Sequence, residues 1–212
     1  TLDFLDHSCI NSLGGDTKAG LPVEAGAILL IEVDGGHAQM VEEDAAKVME
    51  ICRKCGAKDI RIAQNAEEKN KIWEARRNAL PALARAKPTT VLEDATVPRS
   101  KLPAMVASVN DIARKYKLEV GTFGHAGDGN LHPTILCDRR NEEEYHRVEQ
   151  AVDEIFDAAL KLQGTLSGEH GIGMAKAKWM EKETNRATIE FSKNLRRALD
   201  PKYLFNAGKK YV

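Results

Sequence analysis

The chain has 212 residues, 42% hydrophobic and 30% charged, with 31 lysines and arginines against 32 aspartates and glutamates. This is the composition of one globular unit with a sizeable core, and a balanced charge without a basic stripe argues against a nucleic-acid partner. No apolar run approaches a membrane span and no signal peptide is visible.

The first residues, TLDFLDHSC, carry no initiating methionine, which points to a fragment or a processed product. Four cysteines occur, Cys9, Cys52, Cys55 and Cys137. Cys52 and Cys55 form a C-x-x-C without a second such pair to complete a four-cysteine zinc site. They fall at helical spacing with Val41, Ala45 and Val48, so both are expected on an apolar helix face as structural thiols. A reducing, cytoplasmic compartment fits that use.

Residues 26–33, GAILLIEV, read as a buried strand, followed by a helix from Val41 to Cys55. KDIRIAQ, at 58–64, alternates and reads as a strand. Asn65 is the expected N-cap of a long helix running through Trp73 to about Ala86, kinked or divided by Pro81. VLEDATV, at 91–97, reads as a third strand. Ser100 is expected to cap the next helix, with apolar positions 102, 105, 109, 112 and 116. Two strands, 118–126 and 130–137, follow, then an amphipathic helix with Tyr145, Val148, Val152, Ile155, Ala159 and Leu162 on one stripe. A glycine-rich stretch at 164–173 and two shorter helices, at about 175–183 and 186–199, complete the pattern. Together these imply an α+β fold of one compact domain over 1–212. An antiparallel sheet carries helices packed on one face, with up to two ferredoxin-like units.

GTFGHAGDGNLHP, residues 121–133, concentrates two histidines, one aspartate and four glycines. Its glycines do not follow the dinucleotide-binding spacing, and a strand rather than a helix N-terminus comes next, so a phosphate loop is excluded. Asp128-Gly129 suits a two-residue type I′ turn. In that register His125 lies directly opposite His132 on one face of the hairpin, and two imidazoles converge. Alone, the pair also reads as a solvent-facing stack. The context that favours a site is Glu169-His170 within SGEHGIG, where glycines free the backbone to turn both side chains inward. A carboxylate from this stretch completes two histidines and one carboxylate with open positions, the pattern of a catalytic metal. His7, His37 and His146 read as ordinary surface residues.

GHAGDGNLHP, GTLSGEHGIG and the terminal DPKYLFNAGKKY together resemble the C-terminal domain of FAD-linked oxidases, which includes D-lactate dehydrogenases, D-2-hydroxyglutarate dehydrogenases and glycolate oxidase flavin subunits. TLDFLDHSCI, AGAILLIEVDG, IWEARRNALPAL and EDATVPRSKL resemble the glycolate oxidase type in order and spacing, so the likeness covers essentially the whole chain. The resemblance implies an FAD-dependent 2-hydroxy-acid dehydrogenase in which FAD is held mainly by an N-terminal domain absent from this chain. This chain then binds substrate and a divalent metal, Zn or Mn. It further implies metal ligation by His125, His132 and Glu169, and His170 as the base. Arg76, with Arg77 as the adjacent alternative, binds the substrate carboxylate; His125 and His132 also contact substrate, and Asn206 approaches flavin. The implied partners are a small 2-hydroxy acid, the FAD domain, iron–sulfur or other oxidase subunits and a second copy in a homodimer. The implied location is cytoplasmic, with attachment to the inner face of the membrane through partner subunits left open.

Two departures from the family pattern stand out. The family's N-P-G-K is N-A-G-K at Asn206, which removes a rigid proline. Leu92 and Glu93 precede Asp94 where hydroxyglutarate-type enzymes carry a lysine, which argues against a substrate with a second carboxylate. Two other functions use the same residues: a stand-alone metal-dependent hydrolase or iron oxygenase, and a non-catalytic assembly domain.

Overall fold

The computed structural model describes residues 1–14 and 20–209. Six strands form one antiparallel sheet: β1 (Leu2–Asp6), β2 (Ala27–Ile31), β3 (Thr89–Leu92), β4 (Ala95–Thr96), β5 (Glu119–His125) and β6 (Asn130–Cys137). Their order is β2-β1-β5-β6-β3, with β4 also on β6. The mixed helical and antiparallel-sheet class is the expected one. β1 and the short helix α1 (His7–Leu13) that follows it had no counterpart in the sequence reading.

The helices do not share one face. In the pleat, Leu5, Phe123 and Leu136 point to the side covered by α1, α3 (Ala66–Arg77) and α4 (Ala79–Ala86), where they bury Cys9, Ile10, Leu13, Ala79 and Leu83. Leu131, Ile135 and Cys137 point to the other side and meet α5 (Leu102–Tyr116) and α6 (Glu142–Lys161). The sheet is therefore sandwiched. β5 and β6 sit in the middle of the sheet and are buried on both faces, so polar residues such as Thr122, Asn130, His132 and Thr134 are buried along with the apolar ones, which a one-sided reading does not anticipate.

α6 forms because Asn141 accepts the Glu144 amide and three glutamates occupy its first turn. Its stripe at Val148, Val152, Ile155 and Ala159 is buried as the periodicity requires. Beneath it Phe156 packs edge-to-face on Trp179 at 4.8 Å. β3 and β5 flank β6 with α5 as the crossover between them, which makes one ferredoxin-like unit. β1, α1 and β2 do not repeat it, since β1 and β2 pair directly with each other.

Other expectations shift locally. The helix from Asn65 divides at Asn78 into α3 and α4; Pro81, in the first turn of α4, has no N–H to return to the Arg77 carbonyl. The third strand is interrupted at Glu93-Asp94, yet β3 and β4 keep one register along β6. Ser100 lies in a 3₁₀ turn, Arg99–Lys101, and makes no cap hydrogen bond to α5. Residues 58–64 form no strand: alternation makes a strand only where an edge pairs with it. α2 (Ala38–Lys54) is helical but buries no residue fully, and Cys55 just past its end is exposed rather than on an apolar face. Cys9 and Cys137 are buried free thiols, whereas Cys52 is half-buried. Two further helices follow α6: α7 (Met180–Glu183) and α8 (Arg186–Leu199).

Candidate metal and substrate site

The β5–β6 hairpin aims its histidines at one place, but not in the register expected. His125 pairs with Asn130 and Phe123 with His132, so the two histidines are diagonal neighbours on a shared face. The connection is the four residues 126–129, in which Asp128 N–H donates to the His125 carbonyl (3.0 Å) and Gly129 N–H to that of Ala126 (3.3 Å). Only Gly129 has positive φ, at 82°, whereas a type I′ turn requires it at both central positions. Tertiary bonds account for the difference. Gly127 N–H donates to the Leu2 carbonyl (2.9 Å) and Val97 N–H to that of Gly129 (3.0 Å), so strands on both sides hold the loop open. The imidazole centroids of His125 and His132 remain 5.5 Å apart.

The second glycine-rich stretch folds over this face. A two-residue bridge between Thr96 and Thr165 anchors it to β4. Gly168 passes so close that a Cβ there would lie 2.2 Å from Thr96 Oγ1 and 2.7 Å from Asn130 Nδ2. Glu169 is thereby delivered to the histidines: its Oε1 lies 3.0 Å from His132 Nε2, 3.5 Å from His125 Nε2 and 3.9 Å from His170 Nε2. His170 stacks on His132 at 5.0 Å, with the planes 11° apart. The side chains of His125, Glu169 and His170 are 36, 48 and 39% exposed, so the cluster opens onto a surface.

His125, His132 and Glu169 bring one donor atom each within 4.8 Å of the others, as do Asp94, His132 and His170. Donors bound to one ion at about 2.0–2.2 Å lie roughly 3.0–3.5 Å apart at ordinary coordination angles. The distances from His125 and His132 to Glu169 have that spacing, which makes these three side chains a candidate donor set for a divalent ion. Burial holds His132 below its usual pKa, with His170 acting in the same direction and Glu169 and Asp94 opposing. A neutral ring keeps a lone pair for ligation.

Two buried carboxylates that the sequence reading did not assign to the site stand behind it. Asp3, on β1, faces His125 Nδ1 with Oδ1 at 3.1 Å and accepts from Arg76 Nε with Oδ2 at 2.5 Å. Asp94 accepts from Ser167 Oγ (2.6 Å), His170 N–H (2.9 Å) and Glu169 N–H (3.1 Å), all through Oδ2. Burial pushes the Asp94 carboxyl up, but these hydrogen bonds outweigh it and hold the group well below the ordinary carboxylate range. Lys176, also buried, donates to the carbonyls of Asp94 and Leu166. The available signal was an aspartate inside each of two short strand patterns, LDFLD and LEDAT, where aspartate is disfavoured unless it has partners.

Arg76 reaches this face from α3 with its guanidinium 4.8 Å above the Phe123 ring. Its terminal nitrogens have no hydrogen-bond partner among the described residues, whereas Arg77 is exposed and donates to the Asn70 carbonyl. Trp73 packs into the core on the α4 side. Asn206 lies apart, on an exposed turn with φ 48°, and no described contact joins it to the histidines. His7, His37 and His146 are exposed and outside the cluster. No helix among the described residues is long and apolar enough to cross a membrane.

Known proteins share this arrangement of sequence. The chain is 50% identical over 212 residues to the glycolate oxidase subunit GlcD of Bacillus subtilis, covering 100% of this chain and 45% of that protein. It is 38% identical over 208 residues to the Escherichia coli K12 GlcD subunit, covering 98% and 42%. A probable mitochondrial D-lactate dehydrogenase of Danio rerio is 31% identical over 210 residues, again covering 98% and 42%. The chain thus spans less than half the length of these relatives. A 4-ethylphenol oxidase from Gulosibacter chungangensis, solved with isoeugenol, shares the fold at a TM-score of 0.58 and 10% identity, over 99% of this chain and 47% of that one. Residues 1–210 match the family described as FAD linked oxidases, C-terminal domain, and the chain belongs to that family.

Proposed function

We propose that this chain is the substrate- and metal-binding part of an FAD-dependent 2-hydroxy-acid dehydrogenase of the glycolate or D-lactate type. The observation that carries the reading is the convergence of His125 Nε2 and His132 Nε2 on Glu169 Oε1, with His170 stacked alongside and Arg76 on the same face. The names of the GlcD subunits and the D-lactate dehydrogenase support the substrate class.

When bound, the flavin supplies the hydride acceptor, and a divalent ion such as zinc or manganese lowers the pKa of the substrate hydroxyl. His125, His132 and Glu169 would hold that ion. Arg76 presents its terminal nitrogens to the substrate carboxylate while Asp3 fixes its Nε, so one planar edge is left for a two-point contact. His170 takes the hydroxyl proton: its imidazole stacks beside His132 next to Glu169 and has no ligand role in this donor set, which leaves it to act as general base. The exposed face of the cluster is where a flavin domain of the same polypeptide closes the site and excludes water. In the GlcD-like case the acceptor beyond flavin lies in other oxidase subunits.

The test is a panel of D-2-hydroxy acids against the polypeptide that carries this chain with its flavin domain. Metal content and the rate of flavin reduction are measured together. His170→Ala is expected to slow flavin reduction by about 10²–10⁴-fold with the flavin still bound. Wild-type rates in that variant, or no turnover of any 2-hydroxy acid by the intact protein, overturn the reading.

A further inference from the structure

Glu169 and His170 stand on a stretch with little of its own to hold it. Both side chains are exposed, and Gly168, Gly171 and Gly173 surround them. Gly171 and Gly173 take positive φ, 84° and 55°, with open space where a side chain would be. Glycine backbone restrains itself least, so anchors from elsewhere set where these two side chains stand. Asp94 Oδ2 anchors the tip through the amides of Glu169 and His170. The root is Leu166, three residues before Glu169 and fully buried. Side chains take both of its backbone polar groups: Lys176 Nζ donates to the Leu166 carbonyl at 2.8 Å, and Glu183 Oε2 accepts the Leu166 N–H at 3.2 Å.

Each clamping side chain makes a second bond that ties this root to a neighbour. Lys176 also donates to the Asp94 carbonyl (3.1 Å), at the interruption between β3 and β4. Glu183 Oε1 accepts from Thr165 Oγ1, at the bridge that joins Thr165 to Thr96. The two residues bracket one run of chain, a 3₁₀ turn at Ala177–Trp179 followed by α7, and Trp179 is seated on Phe156. The clamp is thus mounted on the core beneath α6. Packing alone does not account for Lys176, which is only 6% exposed. A buried ammonium costs free energy that an apolar side chain in the same space would not, unless its donors hold something. Asp94 Oδ2 lies 3.8 Å from Nζ and compensates its charge, but the close bonds go to the two carbonyls.

We infer that Lys176 and Glu183 are positioning residues: together they fix the Leu166 backbone, and through it the place of Glu169 and His170 against His125 and His132. The inference rests on the reading of His125, His132 and Glu169 as an ion site. Neither residue touches the ion or the substrate; each acts through the backbone that delivers Glu169.

The experiment uses the polypeptide with its flavin domain, stripped of metal, and compares wild type with Lys176→Met, Glu183→Ala, Glu183→Gln and Glu169→Gln. Val148→Ala, a cavity in α6 away from the clamp, controls for lost stability. Chelator competition reports Zn²⁺ affinity, and urea midpoints report stability. Zn²⁺ binding is expected to weaken roughly 10–100-fold in Lys176→Met and in Glu183→Ala, as for other residues that orient a ligand. Glu183→Gln keeps an acceptor oxygen for the Leu166 N–H and should bind near wild type, and Val148→Ala should lose stability without losing affinity. Glu183→Ala carries the test if Lys176→Met does not fold. Wild-type affinity in either folded clamp variant overturns the inference. So does an equal loss in Val148→Ala, or a loss in Glu183→Gln as large as in Glu183→Ala. Glu169→Gln separates the two levels. If it leaves Zn²⁺ affinity unchanged, the ion site itself is wrong; if it weakens binding and the clamp variants do not, only the role of Lys176 and Glu183 fails.

Discussion

Asp3 Oδ1 lies 3.1 Å from His125 Nδ1 across 122 residues of chain, and the same carboxylate binds Arg76 Nε with its other oxygen. One strand residue thus ties the orientation of a hairpin histidine to that of a helical arginine. Asp3 and Arg76 side chains are only 4 and 15% exposed. Removing one partner therefore leaves an uncompensated charge, at a cost of about 3–5 kcal/mol. Asp3→Ala should lower the urea midpoint accordingly, while Asp3→Ala combined with Arg76→Met should recover part of the loss. Additive losses in the double variant would contradict the coupling.

Arg76→Lys tests the substrate contact. Lysine keeps the charge but cannot offer a planar two-point edge. KM for the preferred hydroxy acid is expected to rise roughly 10–100-fold, with a smaller change in kcat, as a lost charge-assisted hydrogen bond predicts. An unchanged KM would remove Arg76 from the binding role, whereas Arg77→Lys is expected to leave kinetics near wild type.

Gly129 is the point where the hairpin loop meets β4. Its φ is +82°, and a Cβ would fall 2.0 Å from the Val97 carbonyl oxygen, a backbone atom that cannot swing away. Gly129→Ala should destabilise the chain by more than about 1 kcal/mol. It should also displace His132 relative to Glu169, so that Zn²⁺ affinity falls with stability. A fully stable variant with wild-type affinity would show that the loop has room the geometry denies.

Glu93 supplies a pH dependence. Burial raises its pKa from 4.5 to about 7, against the pull of Lys176 and with the push of Asp94. A carboxyl whose folded pKa is raised contributes fully below its unfolded pKa, and the contribution is lost as pH rises through 7. Glu93→Gln should therefore be more stable than wild type at pH 8, by at most roughly 3 kcal/mol, with the gap narrowing below about 1 kcal/mol at pH 5. Parallel urea transitions at the two pH values decide it; a gap that widens toward acid would reverse the assignment.

Much of this was legible in the residues. The stripe of α6 and the apolar period of α5 are local regularities, and burial follows from them. The two glycine-histidine stretches carried the family and the three donors. The divided helix around Pro81 is also local, since the proline nitrogen has no proton wherever the chain goes. By contrast, the alternation at 58–64 promised a strand that has no edge to pair with.

By itself the sequence determined which residues can do chemistry and which segments prefer helix or strand, because those properties belong to side chains and near neighbours. Tertiary structure decided the rest. The hairpin register yielded to bonds from Leu2 and Val97, which are distant in sequence and absent from any turn preference. Helices came to cover both sheet faces because β5 and β6 sit in the middle of the sheet. Asp3 and Asp94 joined the site only when β1 and β4 took their places beside β5 and β6. A carboxylate acts on a histidine through space, and spacing along the chain holds no record of that distance until the strands have paired.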